Sequence, residues 1–302
     1  MLQAFLMGVL SMRATSGPPP SAPSLDAYTT GMFSVCSLFK LLSAYTGHAI
    51  QVRRSSDNSL ANIDFMVDGT LDTATLASFV GSNSAYIQTI YDQSGHGNHF
   101  YQATNSLQPR IINAGTYDGI IVFDGTDDFM QCVNNNNNPT GISAYIRGTL
   151  RSTSAKQMIL TSDLVGGADS SHGSFLMDYE TTFHGFRNVM QSNLGGNGVA
   201  NECTGATFSN NTNAIVGDFT TSTNANRVPY FVNGTRQAPS ISAAGTIPTT
   251  TVLSTGKWQV GYGPIGVTNY AAQLSAASIV IYEVAHSDTT VANISAIVDH
   301  YH

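Results

Sequence analysis

What most constrains this chain is its punctuation: short apolar runs are cut off repeatedly by glycine and asparagine. Ala85–Tyr91, Gly119–Phe123, Ser143–Leu150, Ala214–Thr220, Arg227–Val232 and Ser278–Ala285 are strand-length segments rich in β-branched and aromatic residues. A two-residue type I′ turn needs φ > 0 at both positions, so Asn233-Gly234 after Tyr230-Phe231-Val232 marks a tight hairpin. Many short strands joined in this way lead to an all-β two-sheet sandwich, or jelly roll, with a few short helices. Helical spacing is confined to three places. Val35, Leu38, Phe39, Leu42 and Tyr45 precede a capping Gly47. Asp72 caps a short helix bearing Leu76, Phe79 and Val80 and stopped by Gly81. Asp288 to Tyr301 carries Val291, Ile294, Ile297, Val298 and Tyr301 on one face.

Domain organisation follows from composition. Residues 1–24 form an apolar arm and a Pro-rich linker, Ser16-Gly17-Pro18-Pro19-Pro20-Ser21-Ala22-Pro23, of polyproline character. Residues 25–302 show no repeat and no second linker and read as one domain, with Asn134 to Asn138 as a surface loop. Leu2 to Met12 is too short to span a bilayer, and its first basic residue, Arg13, follows the apolar run instead of preceding it. The arm therefore reads as an assembly anchor, with Leu2, Phe5, Leu6, Val9 and Leu10 buried against a neighbouring subunit, and not as a cleaved signal. Charged residues make up only 10% of the chain and the net charge is −7, so solubility rests on Asn, Ser, Thr and Gly. This balance suits an extracellular or particle-bound protein. It argues against nucleic acid, which wants a basic stripe, and no membrane partner is expected. Cys36, Cys132 and Cys203 lack metal-knuckle spacing and read as buried thiols.

Three blocks in order are recognisable: Leu41-Leu42-Ser43-Ala44-Tyr45-Thr46-Gly47, Val52-Arg53-Arg54-Ser55-Ser56-Asp57-Asn58, and Ile90-Tyr91-Asp92-Gln93-Ser94-Gly95-His96-Gly97-Asn98-His99. Over about Leu25 to Ala114 they resemble the N-terminal half of the fungal arabinofuranosidase B catalytic domain, which implies a concanavalin-like, lectin-like sandwich. The same block is similar to one in tailed-phage virion proteins. Later stretches, Phe123-Asp124-Gly125-Thr126-Asp127-Asp128-Phe129 among them, look like the generic laminin-G pattern.

The family's chemistry implies two carboxylates roughly 5–5.5 Å apart, one attacking the sugar and one protonating the leaving oxygen. The chain has three glutamates, Glu180, Glu202 and Glu283, and the resemblance brings Glu202 near the nucleophile segment. The stretch matching the family's acid, Val260 to Gly266, holds no carboxylate, and none occurs over the 64 positions from Phe219 to Tyr282. Asp178 or Asp163 could replace it only by chance placement. No catalytic residue is expected on this reading.

Tyr91, Asp92, Gln93, His96, Asn98 and His99 offer hydrogen bonds and a stacking ring to a glycan; the same block also reads as a turn whose side chains tie down its own backbone. Asp124, Asp127 and Asp128 have the look of a calcium loop, but Asp-Gly turn chemistry explains them, and His96, His99, His172 and His184 lack a metal-binding pattern, so no metal or cofactor is expected. Trp258, alternating with Val260, reads as core. The resulting expectation is a non-enzymatic phage virion protein, a capsid decoration or a tail or fibre component. It would be homo-oligomeric, held to other virion proteins by its arm, and a binder of surface glycans. The alternatives are a secreted arabinofuranosidase-like hydrolase and a cellular carbohydrate-binding module.

Overall fold

The structure, a computed structural model, describes residues 23–133, 139–162, 175–180, 185–191, 198–204, 208–218, 220, 228–238, 241–243, 257–262 and 270–300. The expected anchor residues Leu2, Phe5, Leu6, Val9 and Leu10, the five-Asn run, Asp163, His172 and His184 lie outside them.

The elements run β1 (Met32–Ser37), β2 (Ile50–Arg54), β3 (Leu60–Ile63), α1 (Thr73–Val80), β4 (Ala85–Ile90), β5 (Phe100–Tyr101), β6 (Arg110–Asn113), β7 (Thr116–Val122), β8 (Met130–Val133), β9 (Gly141–Leu150), β10 (Gln157–Ser162) and β11 (Phe175–Glu180). They continue with β12 (Gly185–Gln191), β13 (Gly198–Thr204), β14 (Ser209–Asp218), β15 (Tyr230–Val232), β16 (Thr235–Arg236), β17 (Ile241–Ala243), β18 (Lys257–Val260), β19 (Leu274–Tyr282) and α2 (Asp288–Asp299). Every strand pairing is antiparallel. The fold is the all-β sandwich that the turn pattern implies.

One run of strands goes β16–β15–β14–β9–β19–β1. The other goes β5–β8–β18–β10–β11–β12–β13–β17, with β4, β2 and β3 beyond β5. Between the runs lies the main core. Ile142, Ile146, Ile279 and Ile281 from β9 and β19 belong to the same buried cluster as Met130, Cys132, Leu160, Trp258 and Val260. Trp258 is core, as its alternation implies. The outer face of β9, β14 and β19 is covered by α2, whose Val291, Ile294 and Val298 pack with Tyr145, Val216, Val280 and Tyr282. Burying each of these aliphatic side chains contributes about 1.5–3 kcal/mol. Ser287 caps α2 by accepting from Thr290 N, and Asp72 does the same for α1 from Thr75 N. Glycine at 148 is a packing requirement, because a Cβ there would meet Ser275 O at 2.0 Å, where β9 and β19 close on each other.

The helix expected over Val35 to Tyr45 does not form. Its first part is β1, buried on both faces between β19 and the segment around Asp92. Only Val35 of the expected helical set lies in β1; Leu38 and Leu42 are buried from the irregular segment that follows it, so their spacing matches a helix by accident. The Asn233-Gly234 hairpin is present, with φ of 47° and 72°.

Candidate functional site

Two groups of polar side chains lie deep in the sandwich. The first is the loop Tyr91 to His99, anchored through Asp92. The Asp92 carboxylate accepts from Val35 N (2.8 Å) and Ser94 N (2.9 Å) at Oδ1, and from Ser94 Oγ (2.6 Å) and Asn98 N (3.0 Å) at Oδ2. Four donors saturate what a carboxylate can accept. Gln93 takes Leu41 N on Oε1 and donates from Nε2 to Phe39 O. Both side chains are buried, so Asp92 and Gln93 leave the set expected to touch a glycan: their hydrogen-bonding capacity is spent on the backbone of β1 and the segment after it.

Tyr91, His96, Asn98 and His99 do come together, on the wall of an open cleft of about 520 Å³ shared with Gln88 and Tyr101. His99 Nδ1 accepts from Asp92 N at 2.8 Å, which fixes the tautomer with its proton on Nε2. Burial holds the His99 imidazole below its ordinary pKa, against the opposing pull of the Asp92 charge.

The second group is a row across the sheet. Tyr101 of β5 stands opposite Gln131 of β8, Gln131 opposite Gln259 of β18, and Gln259 opposite Thr161 of β10. Directly opposed residues in antiparallel strands share a face. The flanking positions Met130, Cys132, Trp258, Val260 and Leu160 fill the core on the other face. Gln259 and Thr161 are nonetheless buried, and neither Gln259 Oε1 nor Thr161 Oγ1 finds a hydrogen-bond partner among the described residues. A buried polar atom left unmatched costs about 1–3 kcal/mol.

The row continues into β11, where Leu176 pairs with Thr161 and Asp178 follows two positions on. Asp178 is fully buried, with Lys156 Nζ 3.8 Å from its Oδ2, and that ammonium also lies 4.9 Å from the centre of the Tyr270 ring. Asp178 is in register with Arg187 of β12, and Arg187 with Glu202 of β13. Two acids, separated by one arginine position, thus occupy a single cross-strand line. Their backbones lie two strand spacings apart, roughly 9.6 Å.

A third feature is the Asp124–Asp128 turn. Asp124 Oδ1 accepts from Thr126 N and Asp127 N, and Asp128 Oδ2 accepts from Asp124 N at 2.9 Å, the turn chemistry expected for this segment. The three carboxylates lie within 4.8 Å of one another, and Asp124 and Asp128 line a cavity of about 600 Å³ together with Arg53 and Arg110. Burial, reinforced by the Asp124 charge, pushes the Asp128 carboxyl up to about 7.

Comparison with known proteins places this geometry. A family model of the α-L-arabinofuranosidase B catalytic domain matches residues 26–120. The probable α-L-arabinofuranosidase B of Aspergillus flavus is 48% identical over 64 residues, which is 21% of this chain and 13% of that enzyme. The fold of an α-L-arabinofuranosidase soaked with a cyclic sulfate inhibitor superposes with a TM-score of 0.59 at 15% identity, over 91% of this chain and 64% of the other. The chain carries an arabinofuranosidase-like domain. An arabinofuranosidase complexed with arabinofuranosyl-α-1,2-xylobiose gives 0.54 at 15% identity with the same coverage. The chain therefore spans only part of each protein it matches.

These findings overturn the expectation of a non-enzymatic phage virion protein, together with the capsid, tail and fibre roles attached to it. The family match, the relative and the superposed structures are all arabinofuranosidases. The expectation of no catalytic residue rested on the empty stretch from Phe219 to Tyr282. A sheet assembles its carboxylates by register and not by position in the chain, and register brings Asp178 into line with Glu202. The sequence reading missed Tyr101, Gln131, Gln259, Thr161 and Lys156 as site residues. A usable signal was there: Met130-Gln131-Cys132 and Trp258-Gln259-Val260 each set one glutamine between two core residues. Among the described residues, no helix is long and apolar enough to cross a membrane.

Proposed function

We propose that this protein is a secreted glycoside hydrolase that releases arabinofuranosyl groups from glycans. The observation that carries the reading is the cross-strand register Asp178–Arg187–Glu202 over β11, β12 and β13. Glycosidases need two carboxyl groups about 5–9.5 Å apart, according to whether the nucleophile is the enzyme or a water. The backbones of Asp178 and Glu202 stand two strand spacings apart, roughly 9.6 Å. In this reading Glu202 attacks the anomeric carbon, the glycosidic C–O bond breaks, and a proton passes to the leaving oxygen. Water then cleaves the glycosyl ester, returning the carboxylate and releasing the sugar. Asp178, held beside Lys156, is the second carboxyl. The low charge and Asn/Ser/Thr-rich composition support an extracellular location.

Release of nitrophenol from 4-nitrophenyl arabinofuranoside tests the reading. Glu202→Gln is expected to lower kcat by about three orders of magnitude or more, and Asp178→Asn by a comparable factor, as for removal of one member of a catalytic pair. A purified, folded parent protein with no release above background would overturn it.

A further inference from the structure

We propose that the cleft between the Tyr91–His99 loop and β5 is an accessory binding site for an uncharged glycan chain, separate from the Asp178–Glu202 line. The cleft's volume, about 520 Å³, lies within the range of small-ligand sites. Among the described residues no Asp, Glu, Lys or Arg lines it, and burial disfavours the charged form of His99. A phosphorylated or acidic ligand would find no counter-charge there.

The groups offered are those a sugar needs. Tyr101, at the end of β5 and 38% exposed, presents its ring to the cleft. His99 carries its proton on Nε2, because its Nδ1 accepts from Asp92 N, and among the described residues no acceptor takes that proton. Asn98 spends its backbone N–H on Asp92 and its Nδ2 on Phe33 O, which leaves Oδ1 as an acceptor. Tyr91 is fixed on both sides. Its hydroxyl donates to Asn62 Oδ1 at 2.9 Å and its ring meets His99 edge-on at 5.1 Å. The four bonds to Asp92 hold the loop in place before any ligand arrives, which lowers the entropic cost of binding.

The cleft is also remote from the candidate carboxyls. From β5 the pairing passes through β8, β18 and β10 to Asp178 on β11, four strand-to-strand steps or roughly 19 Å along the sheet, and two further steps lead to Glu202 on β13, roughly 29 Å in all. A monosaccharide glycoside cannot reach both places. A polymer can, so the cleft would hold the chain from which the other site removes side groups. The inference rests on the hydrolase reading only for this pairing of roles; the binding itself does not require catalysis.

The test is native gel electrophoresis of the full chain through soluble arabinoxylan, with heparin as the acidic control. It is run on the parent, Tyr101→Ala, Tyr101→Phe and Glu202→Gln. Arabinoxylan should retard the parent and Glu202→Gln alike. Tyr101→Ala should weaken the apparent Kd about tenfold or more, and Tyr101→Phe should restore it, as expected for a stacking ring. No retardation of the parent, equal retardation of Tyr101→Ala, or retardation by heparin alone would overturn the proposal. Tyr101-dependent retardation of a protein that releases no nitrophenol would sink the hydrolase reading and leave this site standing.

Discussion

The Asp92 loop and the Gln259–Thr161 row both bury polar side chains inside a β-sandwich, and they do so in opposite ways. Asp92 has four donors on two oxygens and nothing left to offer. Gln259 and Thr161, buried to the same degree, each leave an acceptor unmatched among the described residues. A saturated polar group fixes the architecture, because every bond it makes is an internal one. An unsaturated one weakens the fold and persists where something outside the fold uses it. The comparison separates two kinds of conspicuous residue. The motif easiest to see, Tyr91 to His99, owes its two central side chains to structure, while the row that marks the candidate site was inconspicuous.

The sharpest way to break this comparison is Asp92→Ala. It removes four hydrogen bonds to a buried carboxylate and strands the N–H groups of Val35, Ser94 and Asn98, so a loss of about 3–5 kcal/mol in unfolding free energy is expected. Urea denaturation followed by tryptophan fluorescence measures it through Trp258. A loss below about 1 kcal/mol would mean that the loop does not anchor β1.

Asp128 gives the next largest effect and tests a buried carboxylate that is only partly satisfied. Its folded pKa of about 7 lies above the ordinary 3.8 because burial disfavours the charge. Below about pH 4 the group is protonated in both folded and unfolded states, and its neutral form costs little. Between pH 4 and 7 the folded state keeps a proton that the unfolded chain has released, so stability falls as pH rises, and above pH 7 the full cost of the buried charge is present. Asp128→Asn keeps an oxygen for Asp124 N, and should be about 2–4 kcal/mol more stable than the parent at pH 8. That advantage should shrink toward pH 4. Thermal melts across that range check it, and a parent whose stability is flat between pH 4 and 7 would contradict the assignment.

The sequence made the fold legible wherever local chemistry decides. Asn233-Gly234, the Asp72 cap and the periodic segment from Asp288 each name their own conformation: the first two form, and the third is helical over Asp288–Asp299. It misled where buried residues of β1 and of the irregular segment after it fall at helical spacing by accident, as Val35, Leu38 and Leu42 do. The site was harder still. Asp178 and Glu202 lie 24 positions apart and Gln131 and Gln259 lie 128 apart, and only strand register brings each pair together. Reading the missing acid from one stretch of chain treated a property of the sheet as a property of the sequence. Tyr91, Asn98 and His99 could be picked out because they sit in one loop, whereas Tyr101, two residues past that loop, could not be distinguished from an ordinary strand tyrosine.

The smallest effect carries the comparison furthest, because its sign is unusual. Thr161→Val exchanges a hydroxyl for a methyl of nearly the same volume at a fully buried position. In most cores the change costs stability, since the hydroxyl is bonded. Here Oγ1 has no partner among the described residues, so removing it relieves a desolvation penalty and adds apolar contact. A gain of about 1 kcal/mol is expected, together with weaker turnover of an arabinofuranoside if the hydroxyl serves substrate, the trade-off that strained functional positions show. Gln259→Leu, its cross-strand neighbour, should move stability in the same direction, and the double variant should depart from additivity because the two side chains touch the same space. If Thr161→Val instead loses stability as an ordinary buried threonine would, the row is satisfied architecture like Asp92, and the distinction between the two regions disappears.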